Sequence, residues 1–232
     1  MYMPQPLSAR FAAEFFGTAL LLVAIVGSVI VADGLRTQPL LINALATGGA
    51  LFVGITLAQP FSGGHFNPAV TLAFIFSGDT DWHDGVVYIL AQVLGAVVAV
   101  AAVHTMFDTP ALQTPPPTSI ATGGLWLSEI LMTFGLVMVA LIAAAQHPER
   151  LPLLVSTYVT LAVLVSSSGA YINPAATFAR TFTTSNVGIA TENAVPFIVF
   201  QLLGSILATV LVIKILCPLA VVTKKAQTNK KD

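Results

Sequence analysis

The feature that most constrains this chain is a short loop-and-helix motif that occurs twice. Residues 62–70 read Ser-Gly-Gly-His-Phe-Asn-Pro-Ala-Val, and residues 168–176 read Ser-Gly-Ala-Tyr-Ile-Asn-Pro-Ala-Ala. Pro suits the first position of a helix because its missing N–H would be unpaired there, and Asn is a favoured cap immediately before it. The triplets Asn67-Pro68-Ala69 and Asn173-Pro174-Ala175 therefore predict two helix starts at matched places.

Both motifs lie in a very apolar chain. The sequence is 56% hydrophobic and 8% charged, whereas soluble domains are about 25% charged. Its apolar runs predict transmembrane spans at 11–32, 40–58, 86–107, 126–145, 151–167 and 196–216. The segments 67–76 and 173–182 are too short to cross a membrane and are predicted to be re-entrant half-helices. Backbone that is broken at membrane depth must line a cavity or be buried in protein, so we predict a permeation or binding site there.

The internal repeat extends beyond these motifs. Each half has an acid in its first span, Glu14 or Glu129, and a Gln-x-x-Gly sequence in its last, at 92–95 or 201–204. Because each half holds an odd number of spans, the second half must enter the membrane from the opposite face, which is an architecture of channels and transporters. The sequence therefore predicts a single all-α membrane domain over 1–232. Six transmembrane helices and two half-helices form an inverted repeat, with halves at about 9–107 and 125–217.

The basic residues predict the orientation of the chain. Arg10 precedes the first span, Arg150 separates the fourth from the fifth, and four lysines follow the last, at 224, 225, 230 and 231. Positive charge favours the cytoplasmic side. We therefore expect a multi-pass protein of the cell membrane with both termini in the cytoplasm, including a tail at 218–232.

The repeat also predicts what lies at the centre of the membrane. In an inverted pair, the half-helices meet N-terminus to N-terminus, so that their positive ends oppose cations and protons. Asn67 and Asn173 are expected to cap these helices and to donate N–H groups to a passing solute. The residues before them are expected to expose backbone carbonyl groups to the pore: Gly63, Gly64, His65, Gly169, Ala170 and Tyr171.

The buried ionisable residues allow two interpretations. Glu14 and Glu129 could couple transport to protons, or they could accept hydrogen bonds from the unpaired backbone of the broken loops. One acid per half and per loop favours the structural role. His65 could be a pH gate or a metal ligand, but it has no second ligand at suitable spacing. With only one cysteine in the chain, we predict no metal site and no cofactor.

The doubled Asn-Pro-Ala, with its Glu and Gln-x-x-Gly companions, resembles the aquaporin, or major intrinsic protein, family over about residues 9–217. The resemblance implies a homotetramer in the lipid bilayer that passes water or small neutral solutes, with one pore per subunit. It also implies a selectivity filter at Thr47, Leu161, Ala170 and Ala176, where the family usually has aromatic residues and an arginine. Ala176 occupies the usual arginine position, and the second motif is similar to a bacterial branch that lacks this arginine and is sometimes associated with arsenic resistance.

The filter departs from the family pattern, and this extends the expected solutes. Without an aromatic ring or an arginine it should be wider and less polar, so glycerol-like polyols and metalloid hydroxides such as arsenite are expected to pass. Arg180 lies one helical turn beyond Ala176. Its side chain is expected either to reach back to the filter or to lie at the outer mouth, bonded to loop carbonyls or Glu192.

Two other functions are compatible with the sequence. One is a proton-coupled secondary transporter that uses Glu14 or Glu129, and the other is a structural junction protein with a closed pore. No hydrolase, redox or nucleotide motif occurs, so we predict that the protein is not an enzyme. A net charge of -1 gives no reason to expect a nucleic-acid partner.

Overall fold

The computed structural model describes residues 5–116 and 121–216. In these residues six helical segments are long and apolar enough to cross a membrane, as predicted. The predicted tail at 218–232, with its lysines, lies outside the described residues. The helices in chain order are α1 (Leu7–Gly34), α2 (Pro39–Ala58), α3 (Pro68–Ser77), α4 (Trp82–Met106), α5 (Gly123–Gln146), α6 (Leu151–Val165), α7 (Pro174–Ala179) and α8 (Thr191–Leu211).

The two short helices begin where the Asn-Pro-Ala motifs predict. Helix α3 starts at Pro68 and α7 at Pro174, each directly after its asparagine. Helix α7 continues as a single 3₁₀ turn over Arg180–Phe182, and α8 continues as a π-helical turn over Val212–Leu216. The predicted fold class, an all-helical membrane protein with two half-helices, is confirmed.

The packing follows the repeat. Helix α1 packs on α2 and α4, and α5 packs in the same way on α6 and α8. Each half-helix crosses to the other half, since α3 contacts α8 and α7 contacts α4, and the two half-helices also contact each other. The halves are therefore interlocked around the ends of α3 and α7.

Glycines of the Gln-x-x-Gly motifs allow one helix to approach the backbone of another closely. A Cβ atom added at Gly95 would lie 2.3 Å from the backbone oxygen of Phe15, and one added at Gly204 would lie 2.4 Å from that of Ile130. These distances leave no room for a side chain. The repeated glycines therefore set how closely α4 approaches α1 and α8 approaches α5.

Four helices, α1, α4, α5 and α8, begin three to five residues earlier than the sequence predicts. Helix α4 starts at Trp82 because Asp81 caps it, accepting a hydrogen bond from the His83 backbone N–H at 2.9 Å. Helix α8 starts at Thr191 and includes Pro196 in its second turn. A proline near a helix start removes one backbone hydrogen bond, which the remaining turns of α8 tolerate.

Candidate functional site

The two asparagines of the motifs join the halves at the centre of the molecule. The side-chain oxygen of each accepts a hydrogen bond from the start of its own half-helix. The Asn67 amide nitrogen donates to the carbonyl of Ile172 at 2.8 Å, and the Asn173 amide nitrogen donates to the carbonyl of Phe66, also at 2.8 Å. An amide nitrogen carries two hydrogens. Each asparagine therefore has a second N–H that neither the cap nor the crossing bond uses.

The residues that accept these crossing bonds have an unusual backbone. Phe66 has φ 50° and Ile172 has φ 40°, both in the left-handed region. A β-branched residue such as Ile rarely adopts this conformation, and such strain is concentrated at functional sites. The positive φ angle directs each carbonyl to the asparagine of the other half. The strained residues are therefore the ones that accept the crossing hydrogen bonds between the halves.

Glu14 holds the first broken loop. Its carboxylate accepts hydrogen bonds from the Ser62 hydroxyl at 2.6 Å and from the Gln92 amide at 2.7 Å. It also accepts the backbone N–H groups of His65 at 2.9 Å and Phe66 at 2.7 Å. Glu14 is fully buried. A carboxylate surrounded by donors in this way supports the otherwise unpaired backbone of the loop.

Glu129 holds the second loop with fewer donors. It accepts the backbone N–H groups of Tyr171 at 3.1 Å and Ile172 at 2.9 Å, and the Gln201 amide at 2.7 Å. Ser168, which corresponds to Ser62 in the repeat, pairs instead with a serine hydroxyl of α5 at 3.1 Å. The two halves are therefore alike in backbone support but differ by one hydroxyl donor.

Two residue pairs complete this scaffold, and the sequence interpretation missed them. Gln92 donates to the Thr71 hydroxyl at 2.9 Å, and Gln201 donates to the Thr177 hydroxyl at 2.9 Å. All four side chains are buried. Their signal was present in the sequence, because a threonine follows each Asn-Pro-Ala asparagine by four residues.

A narrow cavity of about 60 Å³ passes the two asparagines. That is enough for a few water molecules or one small solute. Apolar side chains of α1, α2, α5 and α6 form a large part of its wall, and neither glutamate lines it. The predicted site residues that do line it are Thr47, Gly63, Gly64, His65, Asn67, Ala170, Tyr171, Asn173 and Ala176.

Three of the residues predicted for the filter or the pore carbonyls do not line the cavity. Leu161 is 55% exposed on the outside of the molecule, so its assignment to the filter is wrong. The cavity-facing residues of α6 are Leu151, Val155 and Val159, one helical turn apart, and a position two residues beyond Val159 faces away. Gly169 and Arg180 are also absent from the lining.

Arg180 bonds a loop carbonyl, as one of its two predicted positions required, but it is buried and does not lie at an exposed mouth, and it does not reach the cavity lining. It is 6% exposed, its Nε donates to the carbonyl of Val187, and its guanidinium carbon lies 3.4 Å from the centroid of the Tyr171 ring. The Tyr171 hydroxyl donates to the carbonyls of Val187 and Gly188 at 3.2 and 3.1 Å. Arg180 therefore lies behind Tyr171, one layer away from the cavity.

Polar side chains of the cavity are few. The Thr47 hydroxyl is buried and has no hydrogen-bond partner within the described residues. His65 contacts the Thr71 hydroxyl through Nδ1 at 3.2 Å and stacks on Phe74. Over 5–116 and 121–216, no group of His, Cys, Asp and Glu could hold a metal ion. The cavity therefore presents the two asparagine amides and the Thr47 hydroxyl along an apolar wall, which suits small neutral molecules.

Comparison with known proteins gives consistent matches. Residues 4–166 and 150–232 match the family described as Major intrinsic protein. The chain is 41% identical over 216 residues to the aquaglyceroporin AqpS of Rhizobium meliloti (strain 1021), covering 91% of this chain and 92% of that protein. It is 35% identical over 177 residues to the glycerol uptake facilitator protein-like 6 of Lactiplantibacillus plantarum, covering 72% and 80%. An X-ray structure of the aquaglyceroporin from Plasmodium falciparum has the same fold, with a TM-score of 0.76 and 24% identity over 93% of this chain and 99% of that one.

Proposed function

This chain belongs to the major intrinsic protein family and is a membrane channel for water and glycerol-like solutes, and from that premise we propose how it selects them. Small uncharged molecules pass in single file between Asn67 and Asn173. Ions and protons are excluded there. Metalloid hydroxides such as arsenite pass by the same route as polyols.

The observation that carries this proposal is the pair of crossing hydrogen bonds at the centre. They fix both amide groups, and each retains a second N–H for a solute oxygen. The two half-helix N-termini add positive potential at the same place, which opposes cations. A neutral hydroxyl is a suitable ligand for this arrangement because it accepts a hydrogen bond without bringing a charge.

The proposed filter consists of Thr47, Val159, Ala170 and Ala176, with Val159 in place of Leu161. Three of these side chains are small and apolar, and the Thr47 hydroxyl is the unpaired polar group among them. A filter of this composition is wider and less polar than one with an arginine and aromatic rings. It therefore admits polyols and metalloid hydroxides as well as water.

The proposed assembly is a homotetramer in the plasma membrane with both termini in the cytoplasm. The described part of the chain exposes many large apolar side chains on its helices, among them Phe16 at 68% and Val195 at 66%, as a surface in contact with lipid or a second subunit does. Arg10 and Arg150 favour the proposed orientation. Cross-linking in native membranes tests the assembly, and protease access to a C-terminal tag tests the orientation.

A stopped-flow measurement on proteoliposomes tests the proposed selectivity. Water, glycerol, urea and arsenite are compared with protein-free liposomes, with and without a proton gradient. We expect fluxes of water, glycerol and arsenite that rise linearly with concentration and do not respond to the gradient. Saturating flux driven by protons would instead support a secondary transporter, and flux no higher than that of empty liposomes would support a closed junction protein.

A further inference from the structure

We propose that Arg180 is the counter-charge of Glu129 and that its buried positive charge forms a second barrier to cations, in the half of the pore that contains the filter. Arg180 acts through the wall of the cavity rather than from inside it. The inference extends the proposed channel function, since it concerns which ions are excluded and not which neutral solutes pass.

The first support is the rigidity of the Arg180 side chain. Its guanidinium group lies over the Tyr171 ring, and its Nε is bonded to the Val187 carbonyl. The Tyr171 ring is itself held by two carbonyls and by the edge of Phe197, at a ring distance of 5.2 Å. A buried guanidinium held on both sides provides a fixed charge.

The second support is the position of Glu129. Its carboxylate accepts the backbone N–H of Tyr171, the same residue whose ring contacts Arg180. Both charged side chains therefore contact the same residue, Glu129 through the backbone N–H of Tyr171 and Arg180 through its ring. Both side chains are buried, so solvent screens their interaction little.

The third support is the difference between the halves. Glu14 receives a serine hydroxyl as an additional donor, and the residue that corresponds to Tyr171 is His65. Glu129 lacks the equivalent serine bond, because Ser168 is paired elsewhere. The positive charge of Arg180 therefore supplies the stabilisation of the Glu129 carboxylate that a serine hydroxyl supplies to Glu14 in the first half.

The consequence for permeation follows from where Tyr171 lies. Tyr171, Ala170 and Ala176 line the cavity, and none of them carries a charge. Because Arg180 lies against the Tyr171 ring that lines the cavity, its charge offsets the attraction of the Glu129 carboxylate for a cation there, while a neutral solute is almost unaffected. The half of the pore whose filter has mostly small, apolar side chains is thereby still closed to cations.

The test compares Arg180→Gln with Arg180→Lys in the full-length protein. Potassium leak and glycerol flux are both measured in proteoliposomes. Arg180→Gln is expected to raise potassium leak roughly tenfold, whereas Arg180→Lys keeps the charge and stays near the parent value. Glycerol flux is expected to stay within about twofold of the parent in both variants, because a neutral solute does not respond to the charge.

Arg36→Gln is the matched control, because Arg36 is an exposed arginine after α1, so the variant removes the same charge from the surface. It is expected to leave potassium leak unchanged. If potassium leak in Arg180→Gln equals that of the parent, the proposed barrier is overturned. If Arg180→Lys and Arg180→Gln leak potassium equally, the effect comes from the contact geometry of Arg180 and not from its charge, which also overturns the proposal. An equal rise in Arg36→Gln assigns the effect to general surface charge and also overturns it. Absence of glycerol flux in the parent would contradict the channel function separately.

A stability measurement covers the case in which Arg180→Gln folds in detergent but does not reconstitute into liposomes. The double variant Arg180→Gln/Glu129→Gln removes both charges, so no uncompensated carboxylate remains. In detergent, the double variant is expected to lose less in thermal unfolding midpoint, relative to the parent, than the sum of the losses in the two single variants. Additive losses, or a loss in the double variant that exceeds that sum, overturn the counter-charge assignment.

Discussion

At the residue scale, the hydrogen bonds that join the two halves at the centre of the pore depend on backbone carbonyls as much as on the asparagines. Phe66 and Ile172 adopt positive φ angles, and each places its carbonyl 2.8 Å from the asparagine of the other half. The sequence predicted the asparagines because Asn-Pro-Ala is a recognisable helix start. It did not predict the acceptors, because no residue preference points to Phe or Ile in the left-handed region.

The filter residue of α6 is a second position that the sequence did not predict correctly. Counting along the family pattern selected Leu161, yet Val159 lines the cavity and Leu161 is 55% exposed. An error of two residues along a helix rotates a side chain by about 200°, from one face to the other. Ala170 and Ala176 each lie three residues from Asn173, so a miscount is much less easily made there.

A pair of substitutions checks the corrected position in α6. Val159→Phe is expected to lower glycerol flux several-fold, more than water flux, because the ring enters a cavity of about 60 Å³. Leu161→Phe adds the same ring on the outward face and is expected to leave both fluxes unchanged. Both are measured by stopped-flow light scattering at equal protein content. The reverse result, with Leu161→Phe selective and Val159→Phe silent, would restore the assignment made from the sequence.

At the element scale, the fold depends on helices that approach more closely than ordinary side chains allow. Gly95 and Gly204 lie against backbone oxygens of α1 and α5, at corresponding places of the two halves. These contacts bring Gln92 and Gln201 to the glutamates that hold the broken loops. Close helix packing and loop support are therefore parts of one repeated unit.

Helix packing predicts the effect of adding one methyl group. Gly95→Ala and Gly204→Ala are each expected to destabilise the protein by about 1–3 kcal/mol, because the new Cβ overlaps a backbone oxygen. Gly49→Ala is the control, since a Cβ atom at Gly49 meets nothing within 4 Å. Thermal unfolding in detergent gives the comparison. Equal stability of all three variants would mean that α1–α4 and α5–α8 are less tightly packed than the structure has them.

At the scale of the whole molecule, the inverted repeat is what the sequence predicts best. Matching motifs in the two halves specified six spans, two half-helices and their order, and the structure confirms all of these. The position of Arg180 could not be predicted in the same way. It depends on the Tyr171 ring and on the Val187 carbonyl, which come together only in the folded chain. Side-chain contacts within an irregular loop have no sequence period to reveal them.

The most direct test of the whole account replaces one asparagine at a time with aspartate. Aspartate caps a helix as well as asparagine does, so both half-helix starts should remain. The crossing N–H donor is lost, however, and a negative charge appears beside the carbonyl of Phe66 or Ile172. Water permeability and proton leak are measured in the same proteoliposomes for Asn67→Asp, Asn173→Asp and the parent. We expect lower water permeability and higher proton leak in both variants, to a similar degree because the halves correspond. Parental values of both quantities in two correctly folded variants would contradict it.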